Sequence, residues 1–195
     1  MGYTISKSAL ILNMENIIAL ISLLIAITIH EYCHALAADK LGDPTPRAYG
    51  RLTLNPLAHL DPLGTLMMFL VHFGWGKPVP IDPYNFRHPR RDEIIVSLAG
   101  PLSNFLLAFI FSRFSGTLPF ILTYTNLYLG IFNLFPIPPL DGSKILLNIL
   151  PIDTAIKIES AFERYGFILI ALLIVSGLLT RLLNPIFAFG LNLLY

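Results

Sequence analysis

Asn16-Ile-Ile-Ala-Leu-Ile-Ser-Leu-Leu-Ile-Ala-Ile-Thr-Ile-His30-Glu31-Tyr32-Cys33-His34-Ala-Leu-Ala-Ala38 carries one formal charge, Glu31, along its whole length. A helix that crosses a bilayer needs about 20 predominantly apolar residues, with roughly 17 to 25 observed, so this stretch has the length and polarity of a membrane span. The rest of the chain agrees. Of 195 residues, 55% are hydrophobic and only 13% are charged, against roughly 25% charged in an ordinary soluble domain. Too few polar residues remain to cover a soluble fold of this size, which excludes a water-soluble enzyme. The net charge of +1 gives no basic field for nucleic acid, so no nucleic-acid partner is expected. The single cysteine, Cys33, excludes an intramolecular disulfide framework.

Outward from this stretch, residues 94–112 and 114–140 are uncharged, as are the shorter runs 165–180 and 182–195. The expected fold is therefore an all-α polytopic membrane protein of about four to five membrane helices, one domain over residues 1–195. Residues 62–76 are also uncharged, but short and broken by Gly64, Gly74 and Gly76, which suits a re-entrant or interfacial piece. The insertion 39–92 holds Lys40, Arg47, Arg51, Lys77, Arg87, Arg90 and Arg91, seven of the 13 basic residues. If 62–76 does not cross, all seven gather on one side, as the positive-inside rule expects. The insertion and the 141–164 linker are thus placed at the cytoplasmic face of the cell (plasma) membrane, with the N-terminus outside. Ala35-Leu36-Ala37 resembles a cleavage site, yet Lys7 is distant and Glu15 opens the apolar run, so a secretory signal peptide is not expected. Gly50-Arg-Leu-Thr-Leu-Asn-Pro56 alternates weakly and Lys77-Pro-Val-Pro-Ile-Asp-Pro83 is rich in proline. They predict a short β or irregular insertion between the first two full spans.

His30-Glu31-Tyr32-Cys33-His34 carries the chemistry. Residues i and i+4 share one helix face, about 5–6 Å apart between Cβ atoms. Two imidazoles there can hold one zinc ion and leave the intervening glutamate to act on water. Two histidines and a carboxylate deep in a bilayer are costly unless they face a cavity or a metal; the plain alternative is a helix end emerging among headgroups. A catalytic zinc needs three protein ligands and an open position. Candidates for the third are Asp141 and the pair His59 and Asp61, with His72 and His88 behind them. Asp141 follows three prolines in four positions and precedes Gly142, so it stands where a helix must break. Its plain alternative is an N-cap of the helix starting near Ser143.

His30-Glu31-x-x-His34 together with Asn133-x-x-Pro136-x-Pro138-x-Leu140-Asp141-Gly142 resembles the site-2 proteases, zinc-dependent intramembrane metalloproteases, and in particular their compact bacterial and archaeal members without a PDZ domain. Gly74-Trp-Gly-Lys-Pro-Val-Pro80, Pro83-Tyr-Asn-Phe86 and Ser97-Leu-Ala-Gly-Pro-Leu-Ser-Asn104 resemble the same subgroup. The resemblance implies one zinc per chain, held by His30, His34 and Asp141. It implies Glu31 as general acid and base, and Asn133 as a group that binds or polarises the scissile carbonyl. The implied partners are a membrane-anchored protein substrate and the lipid bilayer, with the active site opening toward the cytoplasm. Cys33 is expected to be a packing residue; Gly100-Pro101 with Ser103-Asn104 is expected to permit close helix packing, the alternative being that Asn104 braces the site or the insertion. A zinc transporter or sensor is the competing reading; it would use the same histidines and aspartate without needing Glu31.

Overall fold

The computed structural model describes residues 7–65 and 76–195, with side chains from Asn16 onward. The expected re-entrant piece at 62–76, His72 included, lies largely outside the described residues. The described elements are helical: α1 (Lys7–Lys40), α2 (Thr45–Ala48), α3 (Pro89–Phe111), α4 (Thr117–Asn133), α5 (Asp141–Ile149), α6 (Ile152–Val175) and α7 (Leu178–Leu194). Short 3-10 turns stand at Pro56–Ala58 and Pro83–Asn85.

Three helices form the centre by presenting small or polar residues every fourth position. On α1 the buried stripe is Ser22, Ala26, His30, His34 and Ala38, and on α3 it is Val96, Gly100, Asn104 and Ala108. On α4, Leu122, Asn126 and Gly130 repeat the spacing. These are i±4 ridges, and they let helix backbones approach closely because so many of their side chains are small. A Cβ on Gly130 would lie 2.6 Å from the Phe105 ring, so that ring packs directly on the α4 backbone. The opposite faces are greasy and exposed: Ile17, Ile21 and Ile25 on α1, and Leu102, Leu106 and Phe109 on α3. Such an exterior suits hydrocarbon rather than water.

α1, over Asn16–Lys40, and α3 are each long and apolar enough to cross a membrane, and α6 with α7, bent by 74° between them, form a third candidate as a pair. The chain is thus a polytopic, helical membrane protein. The 27 uncharged residues of 114–140 do not form one long helix. α4 ends at Asn133 after 17 residues, because Pro136, Pro138 and Pro139 cannot supply the N–H groups that would continue it. Residues 134–140 instead form a folded loop. Its Leu140 is buried with Ile170, Leu179 and Leu183, while Phe135 and Ile137 pack around them.

The insertion after α1 is irregular. Its described residues contain no strand, only the antiparallel bridge pair Leu60 and Gly76, extended by the Lys77 N–H donating to the His59 carbonyl. Asp43, fully buried at the end of α1, fastens the insertion down. Its carboxylate accepts from the Thr45 N–H and hydroxyl, from the Asp82 N–H at 2.8 Å and from the Asn85 amide at 2.8 Å. Phe86 then packs with Ala38 and Val96.

Candidate active site

His30 and His34 lie one turn apart on the buried stripe of α1, where it faces α3. Their Nε2 atoms are 3.0 Å apart, and Asp141 Oδ2 lies 3.1 Å from the first and 3.2 Å from the second. Asp141 is the first residue of α5 and makes no capping hydrogen bond; at that end the Ser143 hydroxyl and N–H both donate to the Leu140 carbonyl. The proline loop delivers the carboxylate to α1. Gly142 makes the turn possible: a Cβ there would fall 2.2 Å from the Leu134 carbonyl oxygen.

The outer nitrogens of the two rings fix their tautomers. His30 Nδ1 donates to Asn104 Oδ1 at 2.6 Å, and His34 Nδ1 donates to the Val96 carbonyl at 2.7 Å. With the proton on Nδ1, each Nε2 presents a bare lone pair, and the two face each other and a carboxylate oxygen with no hydrogen to share. Three converging lone pairs repel unless a cation stands among them. Zinc–ligand lengths of about 2.0–2.2 Å in a tetrahedral site put ligand atoms about 3.3–3.6 Å apart, close to the spacings here. Two imidazoles and one carboxylate, each ring held from behind by an acceptor, are a donor set that fits zinc. Gly100 is part of that fit, since a Cβ on it would lie 2.3 Å from His34 Nε2 and 2.7 Å from His30 Nε2. No side chain larger than hydrogen fits against the ring nitrogens.

Among the described residues this trio is the one group of histidine, cysteine and acidic side chains close enough to share an ion. The other candidates for a third ligand that lie among the described residues stand elsewhere. His59 Nε2 donates to the Thr53 carbonyl, Asp61 accepts from the Gly64 N–H, and the His88 N–H donates to Asp92 at the start of α3. Glu31 is half-buried on the same turn of α1 as the histidines. A Cβ on Gly76 would lie 3.9 Å from Glu31 Oε1, so the Leu60–Gly76 bridge passes beside that carboxylate. Asn133 ends α4, its amide donating to the Leu129 carbonyl at 3.0 Å; no hydrogen bond joins it to the trio among the described residues. Cys33 is half-buried and free.

In the sequence Asn104 belongs to a close-packing stretch, with a brace as the alternative; in the structure its Oδ1 accepts from His30 Nδ1. Gly100 has the look of a packing residue, and its closeness to the ring nitrogens has no sequence signal beyond the small-residue spacing. Asn126, hydrogen-bonded to Asn104 at 2.9 Å, carries no signal of its own within an uncharged run.

Comparison with known proteins shows the family. Residues 111–176 match Peptidase family M50. YwhC of Bacillus subtilis, named as a zinc metalloprotease, is 40% identical over 188 residues, covering 87% of this chain and 85% of YwhC. Rip2 of Mycolicibacterium smegmatis, also named as a zinc metalloprotease, is 31% identical over 175 residues, 81% of this chain and 66% of its own. A shorter match, 42% identical over 60 residues, joins it to MJ0611 of Methanocaldococcus jannaschii, another protein named as a zinc metalloprotease. No solved structure matches. With 40% identity sustained along most of both chains, and a helix-borne histidine pair meeting an aspartate from a proline-broken helix, this chain belongs to Peptidase family M50, the site-2 proteases its motifs resemble.

Proposed function

We propose that the chain is an intramembrane zinc metalloprotease that hydrolyses peptide bonds within or near the transmembrane segments of membrane-anchored proteins. In this reading one zinc per chain is held by His30, His34 and Asp141. The observation that carries it is the convergence of their three lone-pair atoms within 3.2 Å of one another, with both Nδ1 protons turned outward. When bound, zinc supplies Lewis acidity to water and to the scissile carbonyl.

The chain's own groups do the rest. Glu31 takes a proton from the attacking water as its oxygen bonds to the carbonyl carbon, then gives that proton to the amine as the C–N bond breaks. Asn133 has one amide N–H committed to Leu129 and a second free to donate to the developing oxyanion. A substrate helix must unwind to expose its peptide bond. Residues 77–86, running from the bridge beside Glu31, are suited to pairing with the unwound segment as an added strand.

The protein would sit in the cell membrane with the insertion 39–92 in the cytoplasm and the N-terminus outside. α1, α3, α4 and the bent pair α6–α7 would make four crossings, and water would enter from the insertion side. The test is co-expression with a panel of single-span membrane proteins, using Glu31→Gln as control. Cleavage should fall by about 10²–10⁴-fold while bound zinc stays at the wild-type level. Wild-type-level cleavage by Glu31→Gln would overturn the mechanism. Zinc flux without cleavage by the wild type would favour a transporter.

A further inference from the structure

We infer that Asn126, on α4, is a positioning residue that sets the tautomer of His30 through the amide of Asn104, and so decides whether the face that meets the metal is a lone pair or an N–H. The inference rests on reading His30 as a metal ligand.

Asn104 and Asn126 are both fully buried between the three central helices. They form a chain of hydrogen bonds with one direction. The Asn126 amide N–H donates to the Leu122 carbonyl at 2.9 Å, on its own helix. That fixes Asn126 with Oδ1 turned toward α3, where it accepts from Asn104 Nδ2 at 2.9 Å. Asn104 Nδ2 also donates to the Ala26 carbonyl on α1, at a longer 3.2 Å. With its nitrogen committed to two acceptors, Asn104 can offer only Oδ1 to His30, and His30 Nδ1 must donate to it at 2.6 Å.

An asparagine amide is nearly symmetric in shape, so packing alone does not choose between its two orientations; only the partners do. If Asn104 turned over, its N–H groups would point at His30 Nδ1. The ring proton would then move to Nε2, into the face shared with His34 and Asp141, and His30 would be a donor where a ligand lone pair is needed. Ala26 alone opposes that turn weakly, because its carbonyl sits within α1 and its bond to Asn104 is the longer of the two. Asn126 is the stronger restraint, and it reaches the site from a helix that contributes no atom to the trio.

The experiment uses the full chain in detergent, with zinc affinity measured by competition with a chromophoric chelator. The His30 tautomer is read in the metal-free protein by ring nitrogen-15 NMR, assigned by difference against His30→Gln. Asn126→Leu should weaken zinc binding by about 10-fold or more, the scale usual for groups that orient a metal-binding histidine. It should also turn His30 from Nδ1–H to a mixture of tautomers. Asn104→Asp supplies a carboxylate whose two oxygens are equivalent, so no orientation remains to be chosen. In that background Asn126→Leu should cost no further affinity, whereas a packing role would cost the same in both. Asn126→Asp, held as the neutral acid by burial, keeps the acceptor and donates its O–H to Leu122 in place of the amide N–H, so affinity should stay near wild type even if Asn126→Leu folds badly. Equal losses in the two backgrounds, or an unchanged Nδ1–H tautomer in Asn126→Leu, would overturn the inference. If the wild type itself binds no zinc, the metal reading fails, and the tautomer measurement still decides the role of Asn126.

Discussion

Gly100 of α3 leaves no room for a Cβ beside His34 of α1: one built there would stand 2.3 Å from Nε2. In an ordinary helix interior, replacing glycine by alanine stabilises by about 0.5–1 kcal/mol, because glycine gives up more backbone freedom on folding. Here the sign should reverse for the site. The rings cannot retreat, because Asn104 holds His30 and the Val96 carbonyl holds His34 from behind. Gly100→Ala is therefore expected to lose most bound zinc while remaining helical and membrane-inserted. Metal content per chain, set beside circular dichroism of the same preparation, checks it; full zinc occupancy in the alanine variant would contradict the geometry.

Asp141 and Asn133 come from the two ends of one proline-broken loop, and the proposed roles separate them cleanly. Asp141→Ala removes one of three converging donors and should lower zinc affinity together with cleavage. Asn133→Ala touches none of the three, so zinc affinity should hold while kcat falls by about 10²–10³-fold, the usual cost of one oxyanion donor. Parallel zinc titration and single-turnover cleavage on both variants would separate the roles. Loss of zinc in Asn133→Ala would show that Asn133 supports the trio instead.

How much of this molecule is legible in its sequence depends on where the information is local. The pair His30 and His34 is legible because four residues of helix dictate their common face. The break before Asp141 is legible because three prolines leave no helical alternative. That Asp141 reaches those histidines across more than 100 positions is legible only through the resemblance, since nothing in local spacing joins α5 to α1. Gly100 and Asn126 are harder still: a small or amide residue in an apolar run signals close packing, and which atoms it approaches is decided by helix–helix register. The length of a span misleads for a related reason. Absence of charge over 114–140 marks residues compatible with hydrocarbon, while Pro136, Pro138 and Pro139 decide how many of them are helical.

The insertion is held to the helices by Asp43, and its stability should depend on pH. Burial alone would raise the Asp43 carboxyl, but hydrogen bonds from Thr45, the Asp82 N–H and Asn85 outweigh it and hold the carboxyl below the usual carboxylate range. A depressed folded-state value means the stabilisation is complete above the unfolded-state pKa of about 3.9 and is lost as pH falls through the folded value. Asp43→Ala should therefore destabilise by about 1–3 kcal/mol near neutral pH, the cost of leaving buried donors unpaired. The gap between wild type and variant should close progressively below about pH 4. Thermal unfolding in detergent across that range would check it, with limited proteolysis showing whether cleavage begins in 39–92. A gap that stays constant down to the lowest pH would mean the bonds to Asp43 do not depend on its charge.

The end of α1 and the start of α3 lie at one end of the molecule, because Asp43 binds the Asp82 N–H and Phe86 packs between Ala38 and Val96. α3 is 23 residues long, about 34 Å at 1.5 Å per residue, which carries the chain across a bilayer of about 30 Å. Ser115, in the loop after α3, should then lie on the far side. In the proposed orientation, the basic residues of 39–92 put the first end in the cytoplasm. In a Cys33→Ser background, Lys40→Cys and Arg91→Cys should resist a membrane-impermeant thiol reagent in intact cells and react once the membrane is opened, whereas Ser115→Cys should react in intact cells. All three positions are exposed on the protein, so protection reports the membrane rather than burial. Reaction of Lys40→Cys and Arg91→Cys from outside, with Ser115→Cys protected, would invert the orientation and move the water entrance to the other face. Opposite behaviour of Lys40→Cys and Arg91→Cys would contradict the packing of the insertion against α1 and α3.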